Sequence, residues 1–214
     1  MIRFSNCYIN KRALSTIGSP KLTPGTVLFI CDLQEKFRPN IPQFEGIAQV
    51  SNRLLNASKI LGMQALVTEM YPEGKFIFEI GLGKTVPEVG DLEGIPVFAK
   101  KKFSMITVEV EEWLKSSQKT PLERVILCGI ETHVCVQSTA LDLVSRGIEV
   151  HCVADACGSR NPIDRRFAFE RMRQSGIFIT TCESILLGLL CGSDHTKFRE
   201  VQKLIMSKSP DIGL

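Results

Sequence analysis

Hydrophobic positions along this chain of 214 residues follow two alternating patterns. Short runs rich in β-branched residues, such as TVLFIC at 26–31, predict buried strands, and stretches with apolar residues at helical spacing predict amphipathic helices. Strands are predicted at 26–31, 63–69, 95–100, 123–129, 148–155 and 176–181, and helices at 42–61, 108–115, 133–146, 162–174, 183–190 and 195–206. This alternation is typical of βαβ units, so the fold class is α/β: a three-layer αβα sandwich with a six-stranded, mainly parallel sheet.

The length favours one large domain, since compact domains usually contain ~100 to 200 residues. The patterned part of the chain spans 22–214 and contains no linker or internal repeat. The first 21 residues form an N-terminal tail with four basic residues and no Asp or Glu. That composition fits a mitochondrial transit segment and fits a frayed tail equally well. We therefore expect an intracellular protein of the cytoplasm, with the mitochondrial matrix as the alternative.

Composition excludes several classes of protein. No apolar stretch approaches the ~18 residues that a membrane-spanning helix needs, so no membrane partner is expected. The net charge is +3 and the basic residues are interspersed with acidic ones, which does not indicate a nucleic-acid-binding surface. The eight cysteines include no CxxC pair and no Cys/His spacing typical of zinc sites, so most of them are expected to pack as reduced, apolar side chains.

Three reactive side chains follow predicted strands. Asp32 ends the first strand, Lys100 ends the third, and Cys135 begins the helix after the fourth. The carboxyl ends of parallel strands meet at one edge of a sheet, where ligands bind. A thiol at a helix N-terminus beside an ammonium group is a good nucleophile, and a neighbouring carboxylate can carry its proton. Taken singly, each of these residues is better explained as a helix cap, a solvated strand end or a packing residue.

The sequence around these positions resembles the isochorismatase-like cysteine hydrolases, in particular the animal isochorismatase-domain-containing proteins. The matching segments extend over about 22–214 and include LFICDLQEKFRPNI, LVTEMYPEG, LGKTVPEVG, FAKKKFSM, VILCGIETHVCVQSTALDLVSRG, VADACGSR and RMRQSGIFITTCES. The resemblance implies the isochorismatase-like hydrolase fold and a catalytic triad of Asp32, Lys100 and Cys135. Lys100 is preferred over Lys101 and Lys102 because it lies three residues before the FSM motif.

The same resemblance implies further features of the site. It implies a cis peptide bond between Ile130 and Glu131, and an oxyanion hole formed by the backbone amides of Glu131 and Cys135. Four residues are expected near the substrate: Phe37, Glu69, Tyr71 and Met105. Of these, Phe37 and Met105 are as readily explained by packing. The segment 75–81 has the character of an insertion in the loop that borders the expected pocket.

The chain departs from two branches of this superfamily. Metal-dependent nicotinamidases carry an Asp-x-His pair after the second strand, where this chain has Glu69, Met70 and Tyr71. Isochorismatase itself cleaves a vinyl ether without the cysteine. The resemblance therefore implies no metal and no cofactor, and it favours covalent acyl chemistry at Cys135.

Three functions remain open on the sequence alone. The first is a hydrolase of a small-molecule amide or related carbonyl substrate. The second is a non-catalytic binding or scaffold protein with the same fold. The third is a thiol redox role in which Cys31 or Cys128 lies near Cys135 in space. A Cys135–His133 dyad is a further alternative for the base, and the resemblance suggests a homo-oligomer, a dimer or larger.

Overall fold

A computed structural model describes residues 22–73, 81–117, 120–207 and 209–211. It contains a six-stranded sheet whose paired strands are all parallel. The strands are β1 (Thr26–Cys31), β2 (Gln64–Met70), β3 (Val97–Lys100), β4 (Arg124–Ile130), β5 (Glu149–Gly158) and β6 (Phe178–Thr180). The predicted α/β class and the six-stranded sheet are confirmed.

The strand order is β3-β2-β1-β4-β5-β6. The chain starts at the centre, proceeds outward through β2 and β3, and then returns to add β4 on the other side of β1. The direction of winding therefore reverses between β1 and β4, and the crevice beyond the carboxyl ends of these two strands is where doubly wound sheets bind ligands. Both strands are buried along their whole length, as expected for parallel strands covered on two faces.

Helices cover both faces of the sheet. The helices are α1 (Phe44–Leu61), α2 (Val108–Ser117), α3 (Gln137–Ser145), α4 (Pro162–Gln174), α5 (Cys182–Leu190) and α6 (Phe198–Ile205). Helices α1, α5 and α6 pack against one another, and α3 packs against α4. This gives the three-layer sandwich that the alternating pattern predicts. In the part of the chain that the structure describes, no helix combines the length and hydrophobicity needed to cross a membrane.

Element boundaries differ from the predicted ones by one to three residues at several places, and two of the differences lie near the candidate site. The helix predicted at 133–146 divides into a π-helical turn, Thr132–Val136, and the regular helix α3. Strand β5 continues three residues beyond its predicted end, because after an irregularity in the register Cys157 and Gly158 pair with Gly129 and Ile130 of β4. The tail 1–21 and nearly all of the segment predicted as an insertion, residues 75–80, lie outside the described residues.

Candidate active site

Asp32 and Lys100 form a buried ion pair at the carboxyl edge of the sheet. Lys100 Nζ lies 2.6 Å from Asp32 Oδ2, and neither side chain is exposed to solvent. Asp32 follows the central strand β1, and Lys100 is the last residue of β3, two strands away. The two side chains therefore meet over the end of β2, which lies between them.

Both charged groups are held by further hydrogen bonds. Thr68 Oγ1 of β2 donates to Asp32 Oδ1 at 2.7 Å. Lys100 Nζ donates to the carbonyl oxygens of Phe103 at 3.0 Å and Lys102 at 3.2 Å, and Met70 Sδ lies 3.7 Å away. These partners offset the desolvation of the two ions and fix the orientation of the pair.

Cys135 reaches the same place from β4. It lies in the π-helical turn at the end of that strand and is 6% exposed. Its sulfur belongs to a cluster with the Cys31 sulfur and an Asp32 carboxylate oxygen, in which all three atoms lie within 4.8 Å of one another. The Lys100 ammonium interacts electrostatically with Cys135 as well. The structure thus brings Asp32, Lys100 and Cys135 together.

The ammonium remains charged at this site. Burial alone lowers the pKa of Lys100, but the neighbouring groups Cys31, Asp32 and Cys135 outweigh it and raise the pKa above its ordinary value of 10.5. The site therefore holds a persistent positive charge close to the Cys135 sulfur. The Asp32 carboxylate is already paired with this ammonium, so its negative charge is not free to hold a bound cation.

A hydrogen-bonded chain fixes the backbone of Cys135. Thr139 Oγ1 donates to the Cys135 carbonyl oxygen at 2.6 Å and accepts from the Met105 amide at 2.9 Å. Met105 follows the segment that supplies the carbonyl partners of Lys100. These two hydrogen bonds therefore link the segment that holds Lys100 to the turn that contains Cys135.

The turn that precedes Cys135 contains the residues predicted to form the oxyanion hole. The Ile130–Glu131 peptide bond is cis. The buried carboxylate of Glu131 accepts hydrogen bonds from the backbone amide and the Nε of Arg160, at 3.0 and 3.3 Å. This side chain is therefore held by the loop after β5, while its backbone lies beside the turn of Cys135.

The four residues predicted near the substrate occupy different environments. Tyr71 lines a cavity of about 480 Å³ that Lys100 also borders, and the Tyr71 amide donates to the Lys100 carbonyl oxygen at 2.9 Å. Phe37 lies in a short 3₁₀ turn after β1 and packs partly buried against the core. Met105 is completely buried, and the Glu69 carboxylate accepts hydrogen bonds from the amide and hydroxyl of Thr85.

His133, the alternative base, is engaged elsewhere. Its Nδ1 lies 3.0 Å from Ser159 Oγ, and within the described residues its ring is not part of the cluster that contains the Cys135 sulfur. The geometry therefore favours Asp32 over His133 as the proton acceptor for Cys135.

Several supporting residues were not singled out in the sequence. Thr68 is paired with Cys31 in the β1–β2 register, so a polar residue directly after the apolar run ALV of β2 was the available signal. Thr139 lies one helical turn after Cys135. Gln34 is buried, and its amide group binds the backbone of Met70 and the carbonyl oxygen of Gly83, which ties the loop after β2 to the site.

Comparison with known proteins agrees with this geometry. The family model of the isochorismatase domain matches residues 26–184. The chain belongs to the isochorismatase family. It is 51% identical over 189 residues to isochorismatase domain-containing protein 2 of Xenopus laevis, covering 88% of this chain and 87% of the relative.

Solved structures share the fold of this chain. The structure of MAR1 ribonuclease from Caenorhabditis elegans matches with a TM-score of 0.80 and 48% identity, covering 91% of this chain and 96% of that one. The YcaC gene product of Escherichia coli, described as an octameric hydrolase of unknown specificity, matches with a TM-score of 0.66 and 22% identity, covering 86% and 95% of the two chains. The predicted resemblance to isochorismatase-domain proteins of animals is confirmed.

Proposed function

We propose that this protein is a cysteine hydrolase that cleaves a small amide or related carbonyl substrate without a metal ion. The observation that supports this most directly is the convergence of three groups from three strands: the Asp32 carboxylate, the Lys100 ammonium and the Cys135 sulfur. A nucleophile, a proton carrier and a fixed positive charge are the parts that covalent acyl transfer requires.

In the proposed reaction, the thiol proton of Cys135 passes to Asp32 and the sulfur attacks the substrate carbonyl carbon. The backbone amides of Glu131 and Cys135 stabilise the negative oxygen of the tetrahedral intermediate. Asp32 returns the proton to the leaving amine, which departs and leaves a thioester on Cys135. Water then attacks the thioester with Asp32 as the base, releasing the carboxylic acid and the free thiol.

Lys100 has an electrostatic role in this scheme. Its charge compensates the Asp32 carboxylate before the proton transfer and the Cys135 thiolate after it, so that the negative charge in the buried site is balanced at both stages. Because the Cys135 sulfur is nearly enclosed, we expect the acyl part of the substrate to be small.

The test is a screen of small amides and esters against the wild type, Cys135→Ala and a matched control, Cys191→Ala. Cys191 is the one exposed free cysteine among the described residues, so this control removes an accessible thiol outside the site. We expect turnover and a covalent acyl adduct on Cys135, detected by mass spectrometry, in the wild type and in Cys191→Ala only. Turnover that survives in Cys135→Ala would refute the proposal.

RNA is the alternative substrate to include, because the relative from Caenorhabditis elegans is described as a ribonuclease. Cleavage of RNA by its own 2′-hydroxyl needs a base and an acid but no protein nucleophile, whereas this site is organised around a sulfur. We therefore expect no RNA cleavage that depends on Cys135. Loss of a measured ribonuclease activity in Cys135→Ala, and not in Cys191→Ala, would favour the ribonuclease function instead.

We also propose that the chain forms a homo-oligomer. The bacterial neighbour is described as octameric. This chain exposes large apolar side chains at Phe103, directly after Lys102, and at Ile163 and Phe167 of α4. Light scattering should give a mass of two or more times the 23.8 kDa of one chain. A single-chain mass at all concentrations would contradict this.

A further inference from the structure

A second thiol lies inside the candidate active site. Cys31 is the last residue of β1 and the neighbour of Asp32 in the chain. Its sulfur lies within 4.8 Å of the Cys135 sulfur, and the two thiols interact electrostatically. Closing a disulfide requires the two sulfurs to approach from this separation to ~2.05 Å.

The other cysteines near the centre of the sheet are arranged differently. Cys152 and Cys157 lie 3.7 Å apart, sulfur to sulfur, but both belong to β5 and are completely buried. The Cys128 sulfur contacts the Phe29 carbonyl oxygen. The side chains that act most strongly on Cys128 are those of Cys157 and Ser51. Among the described cysteines, the Cys31–Cys135 pair alone shares its surroundings with Asp32 and the Lys100 ammonium.

The two thiols are not equivalent. Cys135 is 6% exposed, whereas Cys31 is completely buried behind it. Burial, the contact with Cys135 and the nearby Asp32 charge raise the pKa of Cys31 well above its ordinary value. Cys135 is therefore the thiol that meets a reagent first, and Cys31 stays protonated beside it.

We propose that Cys31 and Cys135 form a redox pair, in which a small hydroperoxide oxidises Cys135 and Cys31 then closes a disulfide with it. The inference rests on the proposed function in one respect: it uses the same reactive Cys135. It adds a second reaction at that site and a role for a buried residue that the hydrolase scheme does not use.

The reaction balances in two steps. The Cys135 thiolate attacks the outer oxygen of the hydroperoxide, the O–O bond breaks, and the released alkoxide or hydroxide takes up a proton, leaving a sulfenic acid on Cys135. The Cys31 sulfur then attacks the Cys135 sulfur, its proton goes to the departing hydroxyl, and water leaves. Two thiols are oxidised to one disulfide while the hydroperoxide is reduced to an alcohol, or to water, and one further water.

The disulfide has two consequences for the enzyme. It removes the nucleophile, so hydrolysis stops until a reducing dithiol restores both thiols. It also consumes the sulfenic acid before a second oxidant molecule converts Cys135 irreversibly to a sulfinic acid. Cys31 would thus make oxidation of the site reversible.

The test compares the wild type with Cys31→Ala and with Cys152→Ala, a control that removes a buried thiol from another strand. Each protein is treated with hydrogen peroxide, blocked with N-ethylmaleimide under denaturing conditions, digested with trypsin and analysed by mass spectrometry. In the wild type and in Cys152→Ala we expect a disulfide that joins the peptide 22–36 to the peptide 125–146 through Cys135, lost on treatment with dithiothreitol. In Cys31→Ala we expect the disulfide-linked peptide pair to be absent. Cys135 should instead carry a sulfinic acid.

Wild-type protein that forms sulfinic acid on Cys135 without the disulfide would overturn the redox pair. Alkylation of Cys135 by iodoacetamide, measured on the same samples, separates this result from failure of the proposed function: a rapidly alkylated Cys135 that forms no disulfide leaves the hydrolase intact. A Cys135 that reacts with neither reagent overturns both.

A second measurement covers the case in which Cys31→Ala does not fold. Phenylarsine oxide bridges two thiols that lie close together, so treatment of the native wild type should protect both Cys31 and Cys135 from iodoacetamide added after denaturation. It should do the same in Cys191→Ala. Retention of an alkylatable Cys135 after this treatment would contradict the pair.

Discussion

Thr68 donates a hydrogen bond of 2.7 Å to Asp32, and the carboxylate that receives it also carries the ion pair with Lys100. The threonine stands on β2, between the strands that supply the two ions. The carboxylate is thereby held on both oxygens, one by a hydroxyl and one by an ammonium, and one of its oxygens lies within 4.8 Å of the sulfur of Cys135.

We expect Thr68→Val to lower the free energy of unfolding by about 1–3 kcal/mol, because it keeps the side-chain shape and leaves a buried carboxylate oxygen without its donor. Thr68→Ser should recover most of the loss. Urea denaturation of Thr68→Val, Asp32→Ala and the double variant measures the coupling between the two residues. Strictly additive effects in this cycle would show that the hydrogen bond contributes nothing.

Lys100→Met should destabilise the protein by about 3–5 kcal/mol near neutral pH, since it leaves the Asp32 charge buried and uncompensated. Adding Asp32→Asn to this variant should restore much of the stability by removing that charge. Recovery by the double variant is the decisive measurement. No recovery would mean that the lysine acts through packing alone.

The same pair predicts a pH dependence at the alkaline end. The pKa of Lys100 is raised by folding, so its stabilising contribution is complete below the unfolded value of 10.5 and is lost as pH rises through the folded pKa. The difference in stability between the wild type and Lys100→Met should therefore be constant from neutral pH to about pH 9 and shrink above 10.5. Urea titrations across this interval would show a flat difference if the charge were irrelevant.

Glu149 predicts an acid dependence remote from the site. Burial raises the pKa of Glu149, but its hydrogen bonds with His151 and Arg124 outweigh that effect and lower the pKa below 4.5. Its contribution is therefore present above pH 4.5 and lost as pH falls through the folded pKa. Glu149→Gln should cost about 1 kcal/mol at pH 7, with the difference vanishing under strongly acidic conditions. Glu170→Gln, from an exposed pair with Arg166, is the control and should change stability by less than about 0.5 kcal/mol.

Gly129 should be intolerant of any side chain. Its φ is +120°, and a Cβ there would lie 2.0 Å from the Cys31 carbonyl oxygen, where β1 and β4 are paired. We expect Gly129→Ala to destabilise by more than about 3 kcal/mol or to prevent folding. Gly147, with φ +77° and open space around it, is the matched control and should lose only about 1 kcal/mol on replacement by Ala. Equal losses in the two variants would show that the close approach at β1 and β4 is not the cause.

Much of the architecture was predictable because local periodicity reports which face of an element is buried. The six strands and their alternation with helices follow from short apolar runs such as that of β1 and from helical spacing such as that of α1. Boundaries were less predictable where pairing partners decide them. Strand β5 extends to Gly158 only because β4 offers partners after an irregularity in register, and no pattern within β5 itself encodes that.

The sequence by itself determined the α/β class, the family motifs and the residue types at the strand ends, because each depends on side chains close together in the chain. The tertiary structure alone decided that Lys100 reaches Asp32 across β2, that Thr68 and Thr139 fix the groups around Cys135, and that Cys31 faces Cys135. The physical reason is that the strand order and register set these distances, and the long-range contacts around the site join residues from 34 positions apart, as in Met105–Thr139, to 104 positions apart, as in Cys31–Cys135.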